Sequence, residues 1–301
     1  MAVEAAGNRA SGEKALVLGA AAVALLLWAA TPMMTRIAVL SIDALAVGML
    51  RTSLAACLVV PVAVALRLPR PRGLRDWMLL LVSALGGFEL FPLLFSLGVR
   101  HTSASHAALI TAVSPLFTGL IGAVVERRHP RVTWWLGAAL ALLGEIALIA
   151  FRAGMAGGEA SLGGDLLVVV ACMASAAGYV AGARLAHRLT TWATTFWGIG
   201  LGGLLLVPVM PAVLGPAAWR GAGAVGWGAV AYLALGATTL GYICWYWALQ
   251  RGGIARIGAT QFMQPVIALL LAVLVLGEPL TVPLVLAAVL VMSGVMLAQR
   301  R

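Results

Sequence analysis

Four ionisable side chains fall inside otherwise apolar stretches of this chain: Arg51, Glu89, His106 and Glu145. A charge surrounded by hydrocarbon is costly enough to need either a partner or a function. Glu89, between Phe88 and Phe91, could exchange a proton or hold a substrate ammonium group, with Arg51 as the cation able to keep it ionised. Arg51 and His106 lie nearer the ends of their stretches, where snorkelling or gating contacts are equally open readings. Glu145 reads as structural or interfacial. A neutral set accompanies them. Thr111, Ser114 and Thr118 recur at spacings of three and four, so they share one face of a helix, and Gln261 and Gln264 do the same. The hydroxyls could bond back to their own backbone or join helices. A glutamine amide in hydrocarbon is harder to satisfy, having two donors and an acceptor to place.

The chemistry that is missing narrows the field. No HExxH, GxSxG, phosphate-loop or paired-cysteine motif occurs, and Cys57, Cys172 and Cys244 are far apart in apolar surroundings. No metal and no cofactor is therefore expected. The GxGxxG pattern at Gly198, Gly200 and Gly203 follows no strand signal and reads as close helix packing. A membrane-embedded hydrolase remains a weak alternative, since the serines, histidines and aspartates near the loops form no catalytic cluster.

These residues must be positioned by membrane helices. Of 301 residues, 62% are hydrophobic and 10% charged, against about 25% charged in a soluble domain. Ten stretches are long enough to span, approximately 15–38, 43–66, 74–99, 103–125, 132–151, 164–184, 191–214, 224–248, 254–276 and 281–299. They lack the strict alternation of barrel strands. The net charge of +10 falls between them: fifteen Lys and Arg lie on the side of the N-terminus, four on the other, and Arg51 within a span. Both termini are thus expected in the cytoplasm of a bacterial-type inner membrane. Short basic clusters at the membrane edge also exclude a nucleic-acid partner; lipid and a small molecule are the partners expected.

A Gly-rich linker, 152–163, divides the chain after a 1–14 tail into halves at 15–151 and 164–299. Sliding one half onto the other by 150 residues superposes Leu85-Gly86 on Leu235-Gly236, Pro115 on Pro265 and Gly144 on Gly294. Five spans per half is an odd number, so homologous halves enter the membrane from opposite sides, giving an all-α membrane protein of two inverted five-helix repeats. The same offset pairs Thr111 with Gln261, Ser114 with Gln264 and Glu89 with Thr239.

The strings LLLWAATPMM, SASHAALITAVSPLFTGLIGAVVE and ARIGATQFMQPVIALLLAVLVLGEP, in this order and spacing, resemble the EamA-type branch of the drug/metabolite transporter superfamily. The first half departs from the second at VVERRHP, where Glu126 comes two residues earlier after Pro115 than Glu278 does after Pro265. The resemblance implies a cavity walled mainly by helices 1, 3, 4, 6, 8 and 9. On these helices it implicates Trp28, Glu89, Thr111, Ser114, Tyr179, Tyr242, Trp245, Gln261 and Gln264 as cavity residues; Arg51, on the second helix, and His106 remain candidate gating or charge partners. Trp134, Trp135, Trp219 and Trp227 read as interfacial anchors. The implied activity is alternating-access transport of small metabolites, with an amino acid the first choice for export and aromatic cations or drugs the alternative; protons are a candidate coupling partner. Rings suit both cargoes.

Overall fold

The computed structural model describes residues 2–127, 130–152, 161–219, 221–252 and 263–298, and among these it contains helices and their connections but no strand. Lipid imposes this, because a helix satisfies every backbone donor within its own segment. Helix α1 runs Ala2–Ala29 and resumes as Thr31–Val39; α2 is Ala44–Ala65. Helix α3 comprises Leu74–Ser83, a π-helical stretch Ala84–Leu90 and Phe91–Arg100. Helix α4 is Ala104–Ala112 continued by Ser114–Glu126, and α5 is Val132–Arg152. After the linker come α6 (Leu162–Ala186) and α7 (Thr191–Leu206). Helix α8 is Ala224–Ala231, a second π-helical stretch Tyr232–Leu240, and Gly241–Gly252. Helices α9 (Met263–Leu276) and α10 (Val282–Ala298) complete the bundle.

Among the described residues, six helices are long and apolar enough to cross a membrane: Lys14–Val39, Ala44–Ala65, Leu74–Arg100, Ala104–Val125, Leu162–Ala186 and Ala224–Trp245. Val132–Gly144, Met263–Leu276 and Val282–Ala298 are shorter apolar helices. The expected stretch 191–214 is helical as α7 only to Leu206, after which a turn leads into the single helical turn Met210–Val213. Pro208 and Pro211, which lack an N–H, account for the interruption. Gln261 and the start of the ninth expected stretch lie outside the described residues, as do His129 and most of the linker; the side chains of Glu145, Trp219 and Tyr246 are likewise undescribed.

Helices α2, α4, α6 and α7 start with side-chain caps, supplied by short polar residues ahead of their apolar runs. Asp43 accepts from Leu45 N and Ala46 N, Ser103 from His106 N, Ser161 from Gly164 N and Thr190 from Ala193 N. The C-termini of α4 and α9 are also alike. Arg127 has φ 54° and Gly277 φ 69°, a left-handed turn that costs a residue with a Cβ about 1–2 kcal/mol and glycine nothing. The position at which the first half departs from the second in sequence thus keeps the backbone shape.

The helices pack through small residues, the arrangement that lets backbones approach in lipid. A Cβ on Gly294 would run into Ala141 N and lie 2.6 Å from Gly137 O, and one on Gly144 would meet Ala287 O at 3.0 Å. As residue numbers rise along α5 they fall along α10, so the two are antiparallel. Helices α2 and α7 also run antiparallel, with Gly200 on Val60 and Gly203 on Ala56 and Ser53. Across the halves, α3 packs on α6 through Gly86 and Gly178, and α1 packs on α8 through Trp28 and Gly241. Leu274, 78% exposed, and Leu204, 63% exposed, are among the large apolar side chains left on the outside, where lipid rather than water suits them.

Candidate functional site

The central feature is a cavity of about 560 Å³ lined from both halves. Its aromatic wall is built by α1, α3 and α8. Trp28 donates its Nε1–H to Ala237 O at 2.9 Å, which fixes the ring against the π-helical stretch of α8. Tyr242 meets Trp28 edge-on at 5.2 Å between centroids and Phe88 at 5.7 Å. Tyr179 of α6 is hydrogen-bonded to Tyr242. Phe91 and Phe95 continue the wall along α3.

Helices α4 and α9 also line the cavity. Thr111, Ser114, Thr118 and Gln264 line the cavity, as the shared-face spacing anticipated for the first three. Thr111 donates to Ala108 O at 2.8 Å and Thr118 to Ser114 O at 3.1 Å. Both hydroxyls thus donate to their own helix backbone in residues that border the cavity. Pro265 beside Gln264 removes a backbone donor at the same level.

The charged group of the cavity is Arg51. The sequence suggests a place near the end of its span, yet the side chain lines the cavity and is only 8% exposed. Its Nε donates to Thr238 Oγ1 at 2.9 Å, and its guanidinium carbon lies 5.9 Å from the centre of the Phe91 ring. Among the described residues no carboxylate pairs with it.

Three expected site residues lie elsewhere. Glu89 is 8% exposed but turned towards α7: a Cβ on Gly202 would meet its Cγ at 3.5 Å, and its Oε1 is enclosed without a hydrogen-bond partner. Gly87, Phe88, Phe91, Pro92 and Phe95 border the cavity, a set at the spacing of one helix face that leaves Glu89 off it. Trp245 stands behind the wall, 5.3 Å from Trp28 and inside the α1–α8 contact. His106 lies at one end of the bundle, with Nδ1 3.4 Å from Asp165 Oδ2. Asp165 also accepts from the Thr102 hydroxyl. Glu278 binds the start of α4 at that end, accepting from Ala104 N at 2.7 Å and Ser105 N at 2.8 Å, and Arg36 donates to the Val99 and Arg100 carbonyls.

Other lining residues have no clear signal in the sequence. Trp134, expected as an interfacial anchor, packs over Gly119 and borders the cavity, and Thr31, Thr52, Ser175 and Thr238 also contribute. A buried arginine needs an acceptor, and that need is the available signal for Thr238; the constant offset points instead at its neighbour Thr239, whose hydroxyl turns back to Ala234 O.

A model of the EamA-like transporter family matches residues 15–150 and again residues 162–299. The chain belongs to the EamA-like transporter family. It is 32% identical over 266 residues to the uncharacterized transporter YdeK of Bacillus subtilis, covering 88% of this chain and 91% of that one. It is also 32% identical over 238 residues to a probable terminal-alkyne amino-acid exporter of Streptantibioticus cattleyicolor, covering 77% of this chain and 76% of that protein. A solved crystal structure superposes with a TM-score of 0.64 at 20% identity over 95% of this chain and 96% of that one, which shows a shared fold. This EamA-like protein is a multi-pass membrane transporter rather than an enzyme.

Proposed function

We propose that the protein is a secondary transporter of the inner membrane that exports a small amphipathic metabolite, an amino acid in the first instance, by alternating access. The observation that carries this reading is the cavity of about 560 Å³ between the halves, lined by aromatic rings together with hydroxyl and amide groups. It has room for a cargo of amino-acid size and offers it both apolar and polar contacts. The amino-acid exporter among the relatives adds support for the cargo.

Ten spans in two inverted five-helix repeats, divided as 15–151 and 164–299, accommodate the contacts observed. The contact of Gly137 with Gly294 recurs, 150 residues on, as that of Ala287 with Gly144. Gly236, 150 residues after Gly86, packs on α1 at Leu27, next to Trp28, the position 150 before Gly178. Matching helices run antiparallel in the pairs α2–α7 and α5–α10, as inverted repeats require. Both termini then lie in the cytoplasm. The ties of Glu278, Asp165 and Arg36 gather at the opposite, external end, whereas the cavity lining extends to Trp134 and Val295 towards the cytoplasmic ends of α5 and α10. This arrangement suits a state closed to the outside.

Counterflow of radiolabelled amino acids into liposomes containing the purified protein tests the reading. Accumulation against protein-free liposomes supports it, and absence of counterflow for all twenty amino acids refutes the cargo assignment.

A further inference from the structure

We infer that Arg51 is the specificity-determining residue of the central cavity, gripping the carboxylate of an apolar-bodied substrate, so that the transporter selects carboxylate-bearing molecules over organic cations. The inference rests on the reading of this cavity as the transport site and deepens it by naming the chemical group recognised.

Three observations converge on it. Arg51 is a charged side chain in the cavity wall, buried to 8% exposure, with no carboxylate paired to it among the described residues. A buried charge is retained where something compensates it. Its Nε–H is already committed to Thr238 Oγ1 at 2.9 Å, and the Phe91 ring lies 5.9 Å from its guanidinium carbon, so the plane of the group is anchored from two sides. The four Nη–H donors have no hydrogen-bonded acceptor among the described residues, yet neither Nη is among the enclosed partnerless atoms, which are Thr35 Oγ1, Glu89 Oε1, Ser105 Oγ and Thr194 Oγ1. They therefore reach open space, and the open space beside Arg51 is the cavity. Two Nη groups held in one plane match the two oxygens of a carboxylate.

The remaining wall says what else such a molecule carries. Trp28, Phe88 and Tyr242 offer ring faces and edges for an apolar body. In the same cavity the Ser114 hydroxyl and the Gln264 amide can accept from an ammonium group without demanding a charge. Glu89, the group that would have attracted cations, is turned away towards Gly202. A lone organic cation would meet rings but also a fixed positive charge, a combination that selects against it.

The test uses the full-length protein in liposomes and three matched probe sets on the leucine, methionine, phenylalanine and tryptophan skeletons: the amino acids, their decarboxylated amines and their deaminated acids. Each is offered as a competitor of counterflow and as a ligand protecting against thermal unfolding. The expected result is that amino acids and acids compete and protect while the amines do neither. Arg51→Gln, where it elutes as a monodisperse species, weakens both effective sets by about ten- to a hundredfold, the usual cost of a charge-assisted hydrogen-bond pair. Arg51→Lys, keeping the charge and losing the fork, falls between. Should Arg51→Gln not fold, Thr238→Val frees Nε and is expected to weaken the carboxylate-bearing probes several-fold. Competition and protection by the amines alone overturns the inference and leaves the transport reading standing. Amino acids and acids that act equally on wild type, Arg51→Gln and Thr238→Val also overturn it. If none of the three sets acts on the wild type, both the inference and the amino-acid reading fall.

Discussion

Trp28 performs two separable tasks, and two substitutions divide them. Its Nε1–H reaches Ala237 O at 2.9 Å, joining α1 of the first half to the π-helical stretch of α8 in the second. Its ring lies 5.2 Å from Tyr242 and 5.3 Å from Trp245 while bordering the cavity. Trp28→Phe removes the hydrogen bond and keeps a ring; interhelical hydrogen bonds in membranes contribute about 0.6 kcal/mol on average and up to about 1.7. Trp28→Ala also loses two ring contacts of about 0.5–1.5 kcal/mol each and leaves a void, for a total of about 3–5 kcal/mol. Stability is read by SDS titration in mixed micelles, and transport by counterflow per unit of monodisperse protein. The phenylalanine variant is expected to be about 1 kcal/mol less stable with near wild-type transport. The alanine variant is expected to lose at least about three- to tenfold in apparent affinity for an apolar cargo, equivalent to one ring contact. Wild-type stability in Trp28→Phe refutes the interhelical hydrogen bond. Wild-type affinity in folded Trp28→Ala refutes the ring's place in the substrate wall.

Other parts of the bundle give four further expected outcomes. Gly294→Leu forces α5 and α10 apart, because a Cβ there already lies 2.6 Å from Gly137 O, and the expected result is loss of monodisperse protein on gel filtration. Arg127→Gly relieves the left-handed turn at φ 54° and is expected to raise stability by about 1 kcal/mol in the same SDS titration; a loss of stability contradicts the assigned backbone. Alkaline phosphatase fused after Arg301 is expected to be inactive, and a strongly active fusion overturns the cytoplasmic placement of the C-terminus. If protons couple through Glu89, Glu89→Gln retains substrate exchange and loses its pH dependence; unchanged exchange with unchanged pH dependence removes Glu89 from the mechanism.

The helical class and the cavity face of α4 are legible in the sequence because each depends on local regularity. Apolar stretches separated by arginines report the medium, and Thr111, Ser114 and Thr118 at helical spacing report one face whatever packs against it. Glu89 departs from its expected place because Phe88, Phe91, Pro92 and Phe95, which recur at the three- and four-residue spacing of one helix face, border the cavity, and the carboxylate falls off that face. The partnership of Arg51 with Thr238 is hidden, since it joins residues 187 positions apart across the two halves. Trp134 illustrates the converse: an aromatic at the head of an apolar run suggests an interfacial anchor, and only the small neighbour Gly119 on α4 lets it reach the cavity.

Some packing positions agree between the halves at the offset of 150: Gly144 with Gly294, and the left-handed turns at Arg127 and Gly277. Positions that face the cavity do not. Trp28 corresponds to Gly178, Arg51 to Leu201, Tyr242 to Pro92 and Thr238 to Phe88. A cavity wall whose two halves differ in this way offers different chemistry to the two ends of an asymmetric molecule. A cargo with one charged end and one apolar end gains from a site that carries Arg51 on one helix and leucine at the equivalent place on the other. A symmetric site would hold such a molecule equally well in two opposed orientations, and the charge of Arg51 removes that degeneracy.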